Sequence, residues 1–311
     1  MMDKYAWLCK ILGLEEVGDE KAKEILSAGL KRIKNKIINE DEENLLKCAL
    51  CPNMCEFACP VFKMDGRETI SPSRKAKFGY FYKKGKLNAS EIVDNLYYCL
   101  NCDNCKANCP LDLSVFDILL QTREEFYQKN VIPDGVRNIE KNLQLSNTVY
   151  REIEDCSEIP KLRGGEIVYF RGCVARKEFP NLINSSLKVI SRISENISVL
   201  SEEICCGGPA RNLGLKEKFF EIAEKNKKII ERSKAKTMVC SCPTCTYTFR
   251  EIYPRYGYNL DCEIVHITEY VAKYLGDETK LKLDEKIKAT YHDPCTLARK
   301  LKVTEEPRKM L

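Results

Sequence analysis

The chain has 311 residues, a formal charge of +5 and 44% hydrophobic residues, a composition that supports real cores and, with charges of both signs interspersed, excludes a disordered chain. Two or three domains suit that length. The small basic excess does not mark a nucleic-acid binder: lysines alternate with glutamates in stretches such as "KAKEILSAGLKRIKNKIINEDEE", no RNA-recognition signature occurs, and two histidines are too few for fingers with paired histidines.

Residues 1–47 read as two amphipathic helices, broken where Gly13 and Gly18 interrupt the pattern. The first twenty residues lack the apolar stretch of a secretion signal, and no run nears the roughly 18 apolar residues of a membrane span. A cytoplasmic, reducing setting is therefore expected, in which thiols bind metal rather than pair as disulfides. A cysteine loop fills 48–60. "SPSRKAKFGYFYKKG" (71–85) predicts a helix with Ser71 as its cap, Pro72 in its first turn and Gly85 at its end. Its aromatic residues suit a core-facing side rather than a cofactor box. A helix precedes the second cysteine loop at 99–110, another runs from Ser114 to Lys129, and one spans 134–144 after the turn "IPDGV".

The texture changes after about 155–165. "EIVYFRGC", "ISVL", "KTMVCSCP" and the start of "EIVHITEYVAKYL" read as strands, separated by helical runs such as "NLINSSLKVISRI" and "LKEKFFEIAEKNKKIIERS". Strands alternating with helices predict a parallel α/β sheet. A weak internal repeat pairs "IVYFRGC" (167–173) with "ATYHDPC" (289–295), each a strand-like lead with a Tyr and a terminal Cys.

Cysteine is the outlier, with 18 residues, 13 of them in three ordered sets. "CALCPNMCEFACP" supplies Cys48, Cys51, Cys55 and Cys59. "CLNCDNCKANCP" supplies Cys99, Cys102, Cys105 and Cys109. The second run is similar, letter for letter, to the C-x-x-C-x-x-C-x-x-x-C-P run of bacterial ferredoxins. Three close thiolates there wrap three corners of an iron–sulfur cube, and the fourth is carried by the turn to the other cluster. That similarity implies one 4Fe–4S cluster on Cys48, Cys51, Cys55 and Cys109 and a second on Cys99, Cys102, Cys105 and Cys59. The first run departs from it by one extra residue between its second and third cysteines ("CPNMC"). Two structural zinc knuckles are the alternative for these eight thiols.

The third set is Cys173, the adjacent pair Cys205–Cys206, and Cys242 with Cys245. Neighbouring cysteines do not easily bridge each other, since a disulfide wants its Cα atoms further apart than adjacent residues comfortably allow. Each of the five falls at the expected C-terminal end of a strand or on a loop beside one, where open α/β sheets place their ligand sites. Five sulfurs exceed the needs of one zinc ion or one ordinary cube. An adjacent pair can present thiolates to two metal atoms, and Gly207 and Gly208 allow a sharp, close turn. A zinc or purely structural site is the alternative.

The "CCGGP" core, "CPTC", "VHITEYVAKYL" and "YHDPCTLAR…EEPRKML" resemble the cysteine-rich CCG domain of heterodisulfide reductases and of the iron–sulfur subunits of glycolate, lactate and anaerobic glycerol-3-phosphate oxidoreductases. A two-cluster ferredoxin-type region followed by CCG modules, over about 45–311, is similar to the heterodisulfide reductase subunit that joins both parts in one polypeptide. The resemblance implies a noncubane 4Fe–4S cluster on Cys173, Cys205, Cys206, Cys242 and Cys245, with Cys205 and Cys206 in the catalytic position. The family carries two complete modules. This chain shows one, plus Cys295 as the first cysteine of another, a possible ligand of an incomplete second site. A shortened second module should leave the sheet partly uncovered and invite a partner.

The expected fold is α+β overall, a mainly α-helical two-cluster ferredoxin-type domain followed by an α/β cysteine-rich domain with a parallel sheet. The expected division is 1–44 helical lead, 45–155 two-cluster domain, 160–287 first CCG module and 288–311 start of a second. The resemblance implies an oxidoreductase: an iron–sulfur electron-transfer subunit of a cytosolic complex. It would pass electrons between a partner (flavoprotein, or cytochrome- or quinone-linked) and the CCG cluster, with a disulfide as substrate. The alternative within the family is the iron–sulfur subunit of a flavin-dependent 2-hydroxy acid or glycerol-3-phosphate dehydrogenase. No G-x-G-x-x-G fingerprint occurs, so flavin or nicotinamide chemistry is expected on another chain. From another class come a zinc-stabilised interaction module without redox activity and a thiol sensor using Cys205–Cys206. Cys9, Cys156, Cys240 and Cys262 are expected to be ordinary core or surface residues. His266 and His292 are expected to be structural, with His292 close enough to Cys295 to touch a cluster edge.

Overall fold

The computed structural model describes residues 40–153, 165–274 and 288–311. Cys9, Cys156, nearly all of the helical lead expected at 1–44 and the expected boundary near 155–165 lie outside these residues.

The front half is a helical packet. Glu40–Leu50, Pro72–Lys83, Ala89–Tyr97 and Val115–Gln128 are its main helices. Ser114 starts the last of them, its hydroxyl accepting from the Asp117 N–H at 3.3 Å, and Val115, Leu119, Thr122 and Phe126 line its buried side at the three-to-four-residue spacing of one helix face. Leu45, Ala76, Ile92 and Leu96 from the other three helices complete that core. Gly79 is what lets them close: a Cβ there would stand 3.0 Å from Leu119 and 3.3 Å from Leu45. The aromatic run around it is packing, as expected, with Tyr82 meeting Phe126 edge to face at 5.0 Å.

The cap of the Pro72–Lys83 helix is not the expected one. Ser71 makes no side-chain cap bond. The Ser73 N–H is met instead by Oδ1 of Asn53, whose Nδ2 also donates to Ser71 Oγ at 2.9 Å. Asn53 has φ +68°, a left-handed conformation that Asn tolerates better than most residues. The extra residue of "CPNMC" is thereby absorbed in a tight turn whose side chain ties the first cysteine loop to the neighbouring helix.

In the rear half four parallel strands, β1 (Ile167–Phe170), β2 (Ile197–Val199), β3 (Thr237–Cys240) and β4 (Glu263–His266), form one sheet in the order β2-β1-β3-β4. In register, Val168 pairs with Met238 and Phe170 with Cys240 across β1 and β3. The chain leaves β1 toward β2 on one side and later returns to place β3 on the other. The point where the order reverses lies between β1 and β3, and it opens a crevice at their carboxyl ends. One face is covered by Lys216–Ser233 with Phe219 and Ile222 buried, the other by Pro180–Ile193 with Ile183 and Ile190.

Two expectations change. The Asp134–Ser146 helix, placed by sequence with the front half, buries Val136 and Leu143 in the rear core. The strand expected in "ATYHDPC" does not form: residues 288–294 are irregular, and among the described residues no further strand follows with which such a segment would pair its backbone.

Candidate metal centres

All sixteen described cysteines are free thiols. In the front half they come from two loops held by left-handed turns at Asn53, Asn101 and Asp103. Such turns curl the backbone so that cysteines two or three residues apart face one way. Cys48 lies among Cys55, Cys105, Cys51 and Cys109, and Cys55 among Cys109, Cys51 and Cys59. Cys59, Cys99, Cys102 and Cys105 line a single cavity with Lys75 and Phe116. Burial, followed by these mutual repulsions, pushes the Cys48 thiol well up and the Cys55 thiol up to about 11. Cys105 is pushed up to about 12, also first by burial. Thiols gathered under such conditions suit a cationic inorganic core, whose positive charge offsets the burial and mutual repulsion that otherwise keep them protonated.

In the rear half the five thiols form one chain of neighbours. Cys205 touches Cys173 and Cys206, Cys206 touches Cys245, and Cys245 touches Cys242. Cys206 and Cys242 are held low as acceptors from neighbouring thiols, and Cys205 and Cys245 are raised as donors. Cys173 follows β1, Cys205–Cys206 follow β2, and Cys242 follows β3, so all face the crevice at the strand ends. Two glycines leave space there. A Cβ on Gly172 would stand 3.6 Å from the Cys245 sulfur, and one on Gly208 would stand 3.5 Å from the Cys206 sulfur and 2.6 Å from Thr248 Oγ1. Five sulfur donors around a glycine-lined cradle fit a metal–sulfur core. Among the described residues no three Cys, His, Asp or Glu side chains are disposed to hold one metal ion, so the groupings rest on the shared cavity and on thiol-to-thiol contact.

The side chains that position these thiols were not legible as site residues. Glu203, buried two residues before the pair, accepts from the Arg171 N–H (3.2 Å), Arg171 Nε (3.1 Å) and the Gly172 N–H (2.6 Å). It thus locks the loop carrying Cys173 to the loop carrying Cys205–Cys206. Tyr253 donates to the Cys206 carbonyl at 2.9 Å and Asn226 to the Cys205 carbonyl at 2.8 Å. Cys240 is buried at the end of β3 and Cys262 is half-buried, as ordinary residues would be. Cys295 does not join the rear five. It lies near Cys102 of the front half, where Arg299 donates to the Cys102 carbonyl at 3.3 Å.

His266 is buried and structural. Its Nδ1 accepts from the Thr268 N–H at 3.3 Å, which leaves Nε2–H to donate to the Ser241 carbonyl at 3.0 Å, beside Cys242. Burial lowers its pKa, so the unfolded chain takes up a proton first. Its contribution to stability is complete above about pH 6.5 and is lost as pH falls through the depressed folded value. We expect the stability of the wild type to fall relative to His266→Gln below pH 6.5, by at most about 1.4 kcal/mol per pH unit, in urea melts at stepped pH. A difference that does not vary with pH would refute this role. His292 is exposed.

The two cysteine regions meet directly. Arg123 is 3% exposed and donates to the carbonyls of Leu96 (2.7 Å), Cys99 (3.0 Å) and, across the interface, Asn212 (2.8 Å). Tyr97 donates to the Leu213 carbonyl at 2.9 Å and Asn101 to Asn212 Oδ1 at 3.1 Å. Gly208–Asn212 is a short helix that begins two residues after Cys206, and its rise from Gly208 to Asn212 is roughly 6 Å.

Against this geometry, residues 44–113 match the 4Fe-4S dicluster domain family and residues 167–250 the cysteine-rich CCG domain family. The chain is 29% identical over 294 residues to a fumarate reductase (CoM/CoB) subunit of Methanothermobacter marburgensis, covering 91% of this chain and 58% of that one. It is 27% identical over 294 residues to a dihydromethanophenazine:CoB–CoM heterodisulfide reductase subunit of Methanosarcina mazei, covering 85% and 71%. It is 24% identical over 245 residues to the EtfAB:quinone oxidoreductase of Syntrophomonas wolfei, covering 70% and 33%. No solved structure matches the chain. In domain content and order the chain resembles the CCG-domain oxidoreductases and, among them, the heterodisulfide reductase subunit. It spans little more than half the length of the fumarate reductase subunit. No helix among the described residues is long and apolar enough to cross a membrane.

Proposed function

We propose that the chain is the iron–sulfur electron-transfer subunit of a heterodisulfide reductase-like oxidoreductase complex. The observation that carries this reading is the direct hydrogen-bonded contact between the second cysteine loop and the helix leaving the Cys205–Cys206 pair. In this reading Cys48, Cys51, Cys55 and Cys109 hold one 4Fe–4S cluster, Cys99, Cys102, Cys105 and Cys59 a second, and Cys173, Cys205, Cys206, Cys242 and Cys245 a noncubane cluster. When bound, these groups supply one-electron relays between a partner and a two-electron end point. The protein's residues keep the relay short and dry: Arg123, Tyr97 and Asn101 fix the halves together, and Tyr253, Asn226 and Glu203 hold the backbone of the rear thiols.

The end point we propose is a disulfide of the CoM/CoB kind carried in the relatives' names. Its cleavage takes two electrons and two protons and yields two thiols. The partner is a redox subunit. Leu50, Met54 and Phe57, interleaved with the first thiol set, and Leu111, two residues past Cys109, are each more than half exposed, an apolar concentration of the kind that marks a protein contact.

Anaerobic purification, with iron, sulfide and zinc measured per chain, tests the reading. Its expected result is about twelve irons, from two cubes and one further four-iron group, with a brown protein and reducible EPR signals. About eight irons would strip the rear site of its role, and stoichiometric zinc with little iron would sink the electron-transfer reading.

A further inference from the structure

Lys75 is the most deeply buried lysine among the described residues, at 2% exposed. It lines the cavity shared by Cys59, Cys99, Cys102 and Cys105. Its Nζ has one hydrogen bond, a long one of 3.5 Å to the Tyr98 carbonyl. Asp103 lines the same cavity but faces Lys300 Nζ at 3.6 Å and accepts from Ser114 Oγ. A buried ammonium so weakly satisfied costs the fold several kcal/mol unless an anion stands near it. Burial lowers its pKa, and the thiols of Cys99 and Cys59 act against that.

The charges around the two front sites are unequal. Lys75 and the buried guanidinium of Arg123 both bear on Cys99, and Lys300, its side chain 6% exposed, pairs with Asp103, which lines the same cavity. The groups acting most on Cys48 and Cys55 are other thiols. A four-iron core on four thiolates is an anion, and each added electron makes it more so. A fixed cation beside it therefore favours the reduced form.

We propose that Lys75 is the counter-charge that raises the reduction potential of the cluster on Cys59, Cys99, Cys102 and Cys105 above that of the cluster on Cys48, Cys51, Cys55 and Cys109. This inference rests on the cluster reading above and gives it a direction. Electrons entering beside the exposed Leu50, Met54 and Phe57 of the first loop fall toward the second cluster, which abuts the Cys205–Cys206 helix. Lys75 acts on the cluster through charge, as a positioning residue acts through geometry.

The test is an EPR-monitored redox titration of the full chain, anaerobically purified, as wild type, Lys75→Met, Lys75→Gln and Lys75→Arg, with iron counted in each. In the wild type the two front signals should titrate apart. In Lys75→Met and Lys75→Gln the reduction equilibrium of the higher one should fall at least tenfold, which is 59 mV for one electron, while the lower one holds. Lys75→Arg should stay within threefold of wild type. Loss of one cluster's iron in the Met and Gln variants but not in Arg would also support the inference, since charge would then be required for that cluster to bind. Unmoved potentials, a shift of the lower signal alone, or loss in Arg as well would overturn it. A wild type without any cluster signal would instead overturn the underlying reading.

Discussion

Replacing Arg123 by methionine is expected to destabilise the protein by about 3–5 kcal/mol, because three carbonyls, that of Leu96 buried and those of Cys99 and Asn212 partly so, lose a charged donor at once. For a chain of this size that is a drop in melting temperature of roughly 5–8 °C. The side chain stands in a slot that only a planar fork fills. One nitrogen serves Asn212, the other serves Leu96 and Cys99, and the ring of Tyr97 stacks 4.7 Å from the guanidinium carbon. Gly214, with φ +84°, brings the rear chain against the backbone of Arg123 so closely that a Cβ would stand 2.7 Å from its carbonyl. Lysine at 123 reaches fewer of the three carbonyls and cannot reproduce the fork, so Lys should recover less than half of the loss. Anaerobic thermal melts check both variants, and a methionine variant within 2 °C of wild type would show that the halves are held by something else.

That staple explains why part of the molecule was legible and part was not. The three cysteine sets could be read because their spacing is local. Two or three residues between thiols fix which sulfurs share a turn, and "CCGGP" announces its turn by composition. The parallel sheet was equally readable, from hydrophobic runs of four or so residues, three of which lead into a cysteine-bearing loop. Arg123 meets Asn212 from 89 positions away, and nothing periodic marks an arginine in a helix as a buried one. Lys75 looks like any lysine in "SRKAKF" until the cavity beside it is seen. The Asp134–Ser146 helix shows the same limit from the apolar side. Its pattern says that one face is buried, but not in which core, and Val136 and Leu143 chose the rear one.

Asn53 is the opposite case. The extra residue in "CPNMC" was visible as an irregularity in the ferredoxin-type spacing, and Asn is one of the few residues suited to positive φ. The sequence thus held the remedy beside the fault. What it did not hold was the second task of that side chain, capping a helix that begins nineteen residues later at Pro72. Cys295 shows a related limit. Its likeness to Cys173 is local, but whether a cysteine reaches the crevice depends on a strand to carry it there, and that strand does not form.

Removing Glu203 should have the most selective effect. Its carboxylate, fully buried, accepts from two backbone N–H groups and one guanidinium nitrogen, all within two residues of Cys173. Gly172 has φ +80° and ψ 145°, a conformation open almost only to glycine, and the Glu203 bond to its N–H helps hold it there. Glu203→Ala takes one partner from a buried ion pair, a loss of about 3–5 kcal/mol, and frees the loop that presents Cys173. Glu203→Gln keeps an acceptor for Gly172 but gives up the charge, so it should lose less, roughly 1–3 kcal/mol. The expected signature in the alanine variant is a fall in bound iron from about twelve to about eight per chain, with the front signals unchanged, because no front thiol depends on Glu203. Equal loss of iron from both halves would mean that the variant unfolds as a whole. Full retention would mean that four rear thiols suffice without the position of Cys173 being fixed. The glutamine variant decides between charge and hydrogen bonding: if it keeps the rear iron, the two backbone N–H bonds position the site, and the ion pair with Arg171 serves the fold alone.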